Sequence, residues 1–457
     1  MKLKSDSGME SSGRPWLAFV LVCAAILALS WSLPEQSFRR YPGRKPVIFW
    51  HRWTGEWEKV VDGICDRFNA SQTEYEVIPL SVPDGMADSK FLIAVAGDDP
   101  PDCMAEVNDV VPQWAESGLL LPLDSLMDAR EWERQKGSIF PAALRIGMFR
   151  DRLYGLTVGM DIFALYYRPD FFRQAGLDPD HLPSSLEGLT DWAAKMDRTD
   201  ANGELTRLGM LPWGLGNFAP VFGGGFYDWG KGELTLDTPQ NMRALTWLAA
   251  RRSRLGFDRV GRFEAAQNRS KGGGEGGWPL LSGSEAIVVD GQWRVQEARK
   301  LAPAFDYRTA PIPPAGGGLP GAGFVDGNVM LIPRSARDIQ GAWAFIRFWS
   351  GLDHPERAAE FYTEGGWLPL NRAVEESPVY RGYLRRNLQF RTFVDLLESP
   401  NLYPVAPIPE GLYLSDRIGK AEEAACDGSA SPKQAMDQLV REMRREARFR
   451  RDNGYAD

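Results

Sequence analysis

Val47, Ile48, Phe49 and Trp50 form an apolar run that reads as a buried strand. His51, Trp53, Thr54, Glu56 and Trp57 follow it, crowding the point where the strand should give way to a helix. In an open α/β sheet, the crevice beyond the C-terminal strand ends is where ligands bind. An indole offers an apolar face; imidazole, hydroxyl and carboxylate groups offer hydrogen bonds. That mixture suits a sugar, which has apolar C–H faces and polar edges. Carboxylates are plentiful, and Glu56, Asp84, Glu106, Asp161, Asp290 and Asp326 all stand beside aromatic or Gly-rich turns. Counting them leaves a glycosidase pair open, but carboxylates in sugar clefts also accept hydroxyl hydrogen bonds without any reaction. No GxSxG motif and no Ser/His/Asp constellation occurs, and no residue is assigned a catalytic role.

Further aromatics extend the candidate set. Trp293 follows a predicted strand in DGQW, Trp213 and Tyr227 lie in Gly- and Pro-rich loops, and Trp367 follows a glycine pair in GGWLPLN. The chain holds 16 tryptophans, and because each indole N–H needs a partner, such a surplus points to a binding surface as well as to packing. Other motifs point elsewhere. Gly272-x-Gly274-x-x-Gly277 follows no strand and opens no helix, so it reads as a surface loop and not as a dinucleotide site. Asp200-x-Asn202-Gly203 lacks the end ligands of a calcium loop and reads as a polar turn. With only three histidines and no CxxC pair among four cysteines, no metal site and no cofactor are expected. Cys65 and Cys103 read either as a bridge in an exported protein or as two buried thiols.

The elements that must position these residues alternate. VIFWH, YEVIPLSV and DCMAEV read as strands, separated by amphipathic helices over EWEKVVDGICDRFNAS and ADSKFLIAVAGD. This βαβαβ order implies a parallel sheet whose strand ends bring Asp84, Glu106 and Asn108 to the rim that holds His51 and Trp53. RLYGLTV and FALYYRP read as a strand pair bracketing Gly159-Met160-Asp161. GGGFYDWGKGELTLD reads as a hairpin, TPQNMRALTWLAARRSRLG as a helix, and EAIVVDGQW as strand then turn. VMLIP reads as a strand feeding the helix QGAWAFIRFWSG, and the chain beyond about 370 as mostly helical.

At 457 residues, two lobes are expected. A net charge of −8 argues against nucleic acid as a partner. Residues 16–33 are uncharged and apolar, and Lys2, Lys4 and Arg14 precede them, the pattern of an export signal or a retained anchor. Ala28 and Ser30 offer a small-residue cleavage site. Val22 before Cys23 does not suit lipoprotein processing. Each reading puts the body of the protein outside the cytoplasmic membrane.

The chain resembles the family 1 extracellular solute-binding proteins of ABC importers, the maltose-binding-like group. The resemblance rests on collinear stretches: FWHRWTGEWEKVVDGICDRFN, KFLIAVAGDDPPD, ESGLLLPLD, LYGLTVGMDIFALYYRPDFFRQAGLD, SGSEAIVVDGQW, DYRTAPIPP, VMLIPRSARDIQGAWAFIRFWSG and GGWLPLNRA. It implies an α/β, type II periplasmic-binding-protein-like fold of two lobes with central sheets, joined by three hinge crossings near Val158–Asp161, Gly323–Gly327 and Gly365–Pro369. Residues 1–45 would be signal or anchor and linker, 46–158 with 327–366 the N-lobe, and 161–325 with 368–457 the C-lobe. The resemblance also implies ligand contacts from His51, Trp53, Glu106 and Asn108 on one side, where the strand-end reading adds Thr54 and the rim adds Asp84. Asp161, Trp213, Tyr227 and Trp293 face them, with Asp326 and Trp367 at the crossings. The implied function is a non-enzymatic, monomeric substrate-binding protein that carries a sugar or related polyol to ABC permease subunits. A membrane-tethered sugar-binding domain for a sensor and a glycoside-active enzyme are the alternatives. CMAEVND after Pro101-Asp102 and the Gly-rich 268–277 insert depart from the family pattern.

Overall fold

A computed structural model describes residues 39–82, 87–270 and 277–453. The 16–33 segment, Asp84, Gly272 and Gly274 lie outside the described residues.

The N-terminal βαβαβ unit forms as read. Strands β1 (Lys45–His51), β2 (Tyr75–Ser81) and β3 (Cys103–Val107) are parallel, with β1 between the other two. Helix α1 (Gly55–Ser71) connects β1 to β2, and α2 (Ala87–Ala96) leads towards β3. In α1 the buried Val61, Ile64, Cys65 and Phe68 recur at the spacing of one helical face, which seats the helix on the sheet. Cys65 and Cys103 are both buried free thiols, and burial pushes each well above the usual thiol range.

The centre of the sheet differs from the sequence reading. Rather than a strand pair bracketing Gly159–Asp161, Gly155–Tyr167 is one continuous strand, β4. Neither Gly159, Met160 nor Asp161 adopts a left-handed φ, so nothing turns the chain there. Strands β5 (Leu205–Met210), β6 (Glu285–Gly291) and β7 (Gly323–Leu331) complete the path β2-β1-β3-β7-β4-β6-β5. β7 is antiparallel to both β3 and β4, placing Asp326 opposite Asp161 and Gly327 opposite Met160. β4 pairs with β7 through Ile162 and with β6 from Phe163 onward. One strand therefore serves both halves of the sheet. A bridge between Met160 and Leu368 brings the chain after Trp367 to the same spot. The expected turn at DGQW is instead a helix start: Gln292 caps α3 (Trp293–Leu301), with Trp293 as its first residue.

Buried apolar residues gather into two large clusters. One contains Val47, Phe49, Ile64 and Leu331, with Phe345 and Trp349 from α4 (Ile339–Ser350) and Tyr362 from α5 (Pro355–Gly365). The other contains Leu165, Phe172, Met210, Leu245 and Ile287, closed by α6 (Gly411–Cys426) and the helix over Pro432–Asp452. The hairpin pairs Tyr227–Asp228 with Glu233–Leu234, and helices dominate beyond 370. Among the described residues, no helix is long and apolar enough to cross a membrane.

Helix α4 lies close against β1. A Cβ at Gly341 would stand 2.5 Å from Val47 Cγ2 and 2.7 Å from the Tyr75 ring. Gly341→Ala should therefore destabilise the protein by about 1–3 kcal/mol, the usual range for overpacking. Urea unfolding measures this, and an unchanged midpoint would mean that the helix has room to shift.

Candidate functional site

The strand-end cluster resolves into a stack of rings. Trp53 stacks on Trp349 with centroids 5.6 Å apart, and it meets Trp367 at 5.5 Å; Trp349 and Trp367 are 5.7 Å apart. Trp349 is fully buried and Trp367 is 5% exposed, so both support Trp53, which remains partly accessible. The glycine pair before Trp367 has a structural purpose. Gly366 takes the left-handed conformation (φ +66) that ends α5, and Gly365 lies under the indole, where a Cβ would meet the ring at 2.3 Å. Trp57 donates from Nε1 to Gly365 O (3.1 Å), tying α1 to the same corner.

His51 is 2% exposed beneath Trp53, and its Nδ1 has no partner. Burial pulls its pKa down to about 4, so the ring is neutral at physiological pH. Thr54 is exposed at the N-cap position of α1 without capping it, and Glu56 is exposed and ion-paired with Lys59.

A polar group lies at the centre of the sheet. Asp161 and Asp326 are cross-strand partners, and Gln292 Nε2 donates to Asp161 Oδ1 (2.5 Å). Burial pushes Asp161 up to about 6; burial, then the Asp161 charge, pushes Asp326 well above the usual carboxylate range. The Arg52 guanidinium opposes both shifts and lies 3.7 Å from Glu106 Oε1. Glu106 also accepts from Val107 N (2.9 Å). Asn108 Oδ1 accepts from Gly327 N (3.0 Å), joining the end of β3 to β7.

Asp326 also lines a cavity of ≈430 Å³. Phe163, Trp213, Phe226, Trp229, Phe324 and Tyr403 form its aromatic walls. Trp213 is 48% exposed and meets Phe163 edge-on. Its loop is set by Glu422, whose carboxylate accepts from Gly214 N (2.7 Å) and Leu215 N (2.6 Å). Trp229 stacks with Tyr403 at 6.4 Å. Tyr227 and Trp293 stand behind these walls: Tyr227 holds Trp229 edge-on at 5.3 Å, and Trp293 holds Phe163 edge-on at 5.7 Å. The geometry thus combines ring faces for stacking with a carboxyl group at the strand crossing. It also puts apolar rings and the Asp326 carboxyl group where a polar solute would lose water.

The sequence profile of the bacterial extracellular solute-binding proteins matches residues 53–351. The chain belongs to that family. Among its relatives is the sn-glycerol-3-phosphate-binding periplasmic protein UgpB of Escherichia coli (strain K12), 24% identical over 415 residues that cover 86% of this chain and 90% of UgpB. Among solved structures, CpMnBP1 with mannotriose bound matches with a TM-score of 0.74 at 24% identity, covering 87% of this chain and 99% of that one. The ABC substrate-binding protein Lmo0181 of Listeria monocytogenes, in complex with cycloalternan, matches with a TM-score of 0.70 at 16% identity, covering 90% of this chain and all of the other. The fold is accordingly the α/β, type II periplasmic-binding-protein architecture.

The sequence reading did not single out Arg52, Phe163, Trp229, Phe324, Tyr403 or Glu422. Two of these had a signal. Phe163 follows Asp161, and Phe324 precedes Asp326, by two residues on their strands, so each shares a face with its aspartate. Tyr403 had none: it reaches the cavity through a two-residue strand, Leu402–Tyr403, beside Gly323–Phe324.

The raised carboxyl pair has a consequence for stability. Between the unfolded aspartate pKa of about 3.9 and the native value of about 6 for Asp161, the folded protein holds protons that the unfolded chain has lost. Stability from this pair falls as pH rises through that window. Asp161→Asn should therefore gain stability over the native protein as pH rises from 4 to 7. His51 is common to both proteins and cancels in the comparison. Urea midpoints at pH 4, 5.5, 7 and 8 test this; a constant difference would show that the pair does not titrate there.

Proposed function

We propose that the chain is the extracytoplasmic substrate-binding component of an ABC importer and that it takes an oligosaccharide. The observation that carries this reading is the ≈430 Å³ cavity with six aromatic walls and Asp326 at the strand crossing. Sugar rings stack their C–H faces on such walls, and their hydroxyls donate to carboxyl and amide oxygens. A site built to pair hydroxyls discriminates, because a missing hydroxyl strands a buried partner. The mannotriose bound to CpMnBP1 and the cycloalternan bound to Lmo0181 support a saccharide on this architecture. The periplasmic UgpB relatives support a location outside the cytoplasmic membrane.

In this proposal Trp213, Trp229 and Tyr403 stack the sugar. Trp53, Glu106, Asn108 and Thr54 approach it from the side of β1 and β3, while Tyr227, Trp293 and Trp367 hold the stacking rings and their surroundings. The lobes divide as 46–158 with 327–366 and 161–325 with 368–457. They close by bending where β4, β7 and the Gly365–Pro369 segment meet. The monomeric, loaded protein then presents both lobes to the permease subunits.

Calorimetry with mannotriose and maltotriose tests the saccharide assignment. Trp213→Ala should weaken binding by about 1–3 kcal/mol, as for a lost aromatic anchor. Unchanged affinity would remove Trp213 from the site. Solution scattering should report a more compact particle with saturating sugar; identical profiles would count against closure.

A further inference from the structure

We infer that the Asp161–Asp326 pair makes this cavity selective for an uncharged saccharide and excludes phosphate esters, including sn-glycerol 3-phosphate. The inference rests on the saccharide reading of the cavity and adds the residues that set its specificity.

The charge of the lining disfavours a phosphate ester. Asp326 and Glu422 are acidic residues of the cavity lining, and no lysine or arginine lines the cavity among the described residues. Two basic groups close to the site are committed. Arg52 lies beside Glu106 and within electrostatic reach of Asp161 and Asp326, so one cation faces three carboxyl groups. Arg145 sits behind Tyr403, its guanidinium 5.5 Å from the ring centroid, and donates to Leu402 O (2.8 Å). A bound phosphate monoester would therefore bring up to two negative charges into a cavity whose lining offers no cation to receive them.

Hydrogen-bond polarity favours a hydroxyl at the same place. Asp326 Oδ1 is buried and has no partner. A buried acceptor without a donor carries an unrelieved cost, which a ligand hydroxyl can remove. A sugar hydroxyl both donates and accepts, so it suits either protonation state of the pair. The phosphate group of a doubly ionised ester offers acceptors alone, so where it takes the place of a sugar hydroxyl it cannot pair an ionised Asp326. The aromatic walls reinforce the choice, since they present apolar faces to C–H groups and no donors to phosphate oxygens. Departure from the UgpB relatives' stated ligand is thus written in the cavity itself, although those relatives align over most of the chain.

The test is titration calorimetry of the full chain, native and Asp326→Asn, with mannotriose, maltotriose and sn-glycerol 3-phosphate. Asp161→Asn provides a second variant should the first fold poorly. The native protein should bind at least one trisaccharide 100-fold or more tighter than the phosphate ester. Either variant should narrow that ratio at least tenfold, because it alters the carboxyl pair that receives the sugar hydroxyl while the cavity still offers phosphate no cation. A ratio unchanged in both variants would overturn the role of the pair. Phosphate-ester binding as tight as that of a bound trisaccharide would overturn the exclusion and leave the saccharide reading standing. Binding of the phosphate ester alone, or of none of the three, would overturn both.

Discussion

The antiparallel pairing of β4 with β7 is the constraint on which the rest of the molecule depends. β4 is long enough to pair with β7 over its first part and with β6 over its last. The two halves of the sheet are therefore continuous through one strand. Because side chains alternate along a strand, this register sets what lies at the crossing. Asp161 and Asp326 come opposite each other, while Phe163 and Phe324, two residues away, pass to the cavity wall. A slip of one residue in β7 would turn Asp326 and Phe324 to the face opposite Asp161 and Phe163.

Burial and function pull against each other at that crossing. Two carboxyl groups side by side in a partly dry place are unfavourable, and their raised pKa values express that cost. Hydrophobic packing around them offsets it. The Trp53–Trp349–Trp367 stack, the Phe49–Phe345 contact and the aliphatic faces of β1 and β7 form a core dense enough to hold such a site. His51, neutral and buried, belongs to that support more than to a ligand-reading surface.

Much of the architecture was legible from local pattern. The βαβαβ start follows from apolar runs alternating with amphipathic helices, and α1 buries the residues its period indicates. The hairpin after Gly225 and the helical C-terminal portion were equally readable. The break expected at Gly159–Asp161 was not there, because glycine permits a turn without requiring one. In the folded chain, Gly159 instead makes room for the Trp367 ring, 3.2 Å from where its Cβ would stand. Trp293 shows the same limit: its loop-like sequence became a helix start once Gln292 was held by Asp161 and Ile162 N.

The sequence by itself determined the fold class, the family, the rim at the end of β1 and the aromatic and acidic character of the candidate site. Those properties follow from periodicity, composition and collinear motifs, all of which are local or ordered along the chain. Tertiary structure alone decided which rings face a cavity and which stand behind them. It separated Trp213, Trp229 and Tyr403 from Trp293 and Trp367, and it set Asp161 against Asp326 from segments far apart in sequence. The physical reason is that exposure and pairing depend on what packs against a residue, and a side chain's own identity does not contain that information.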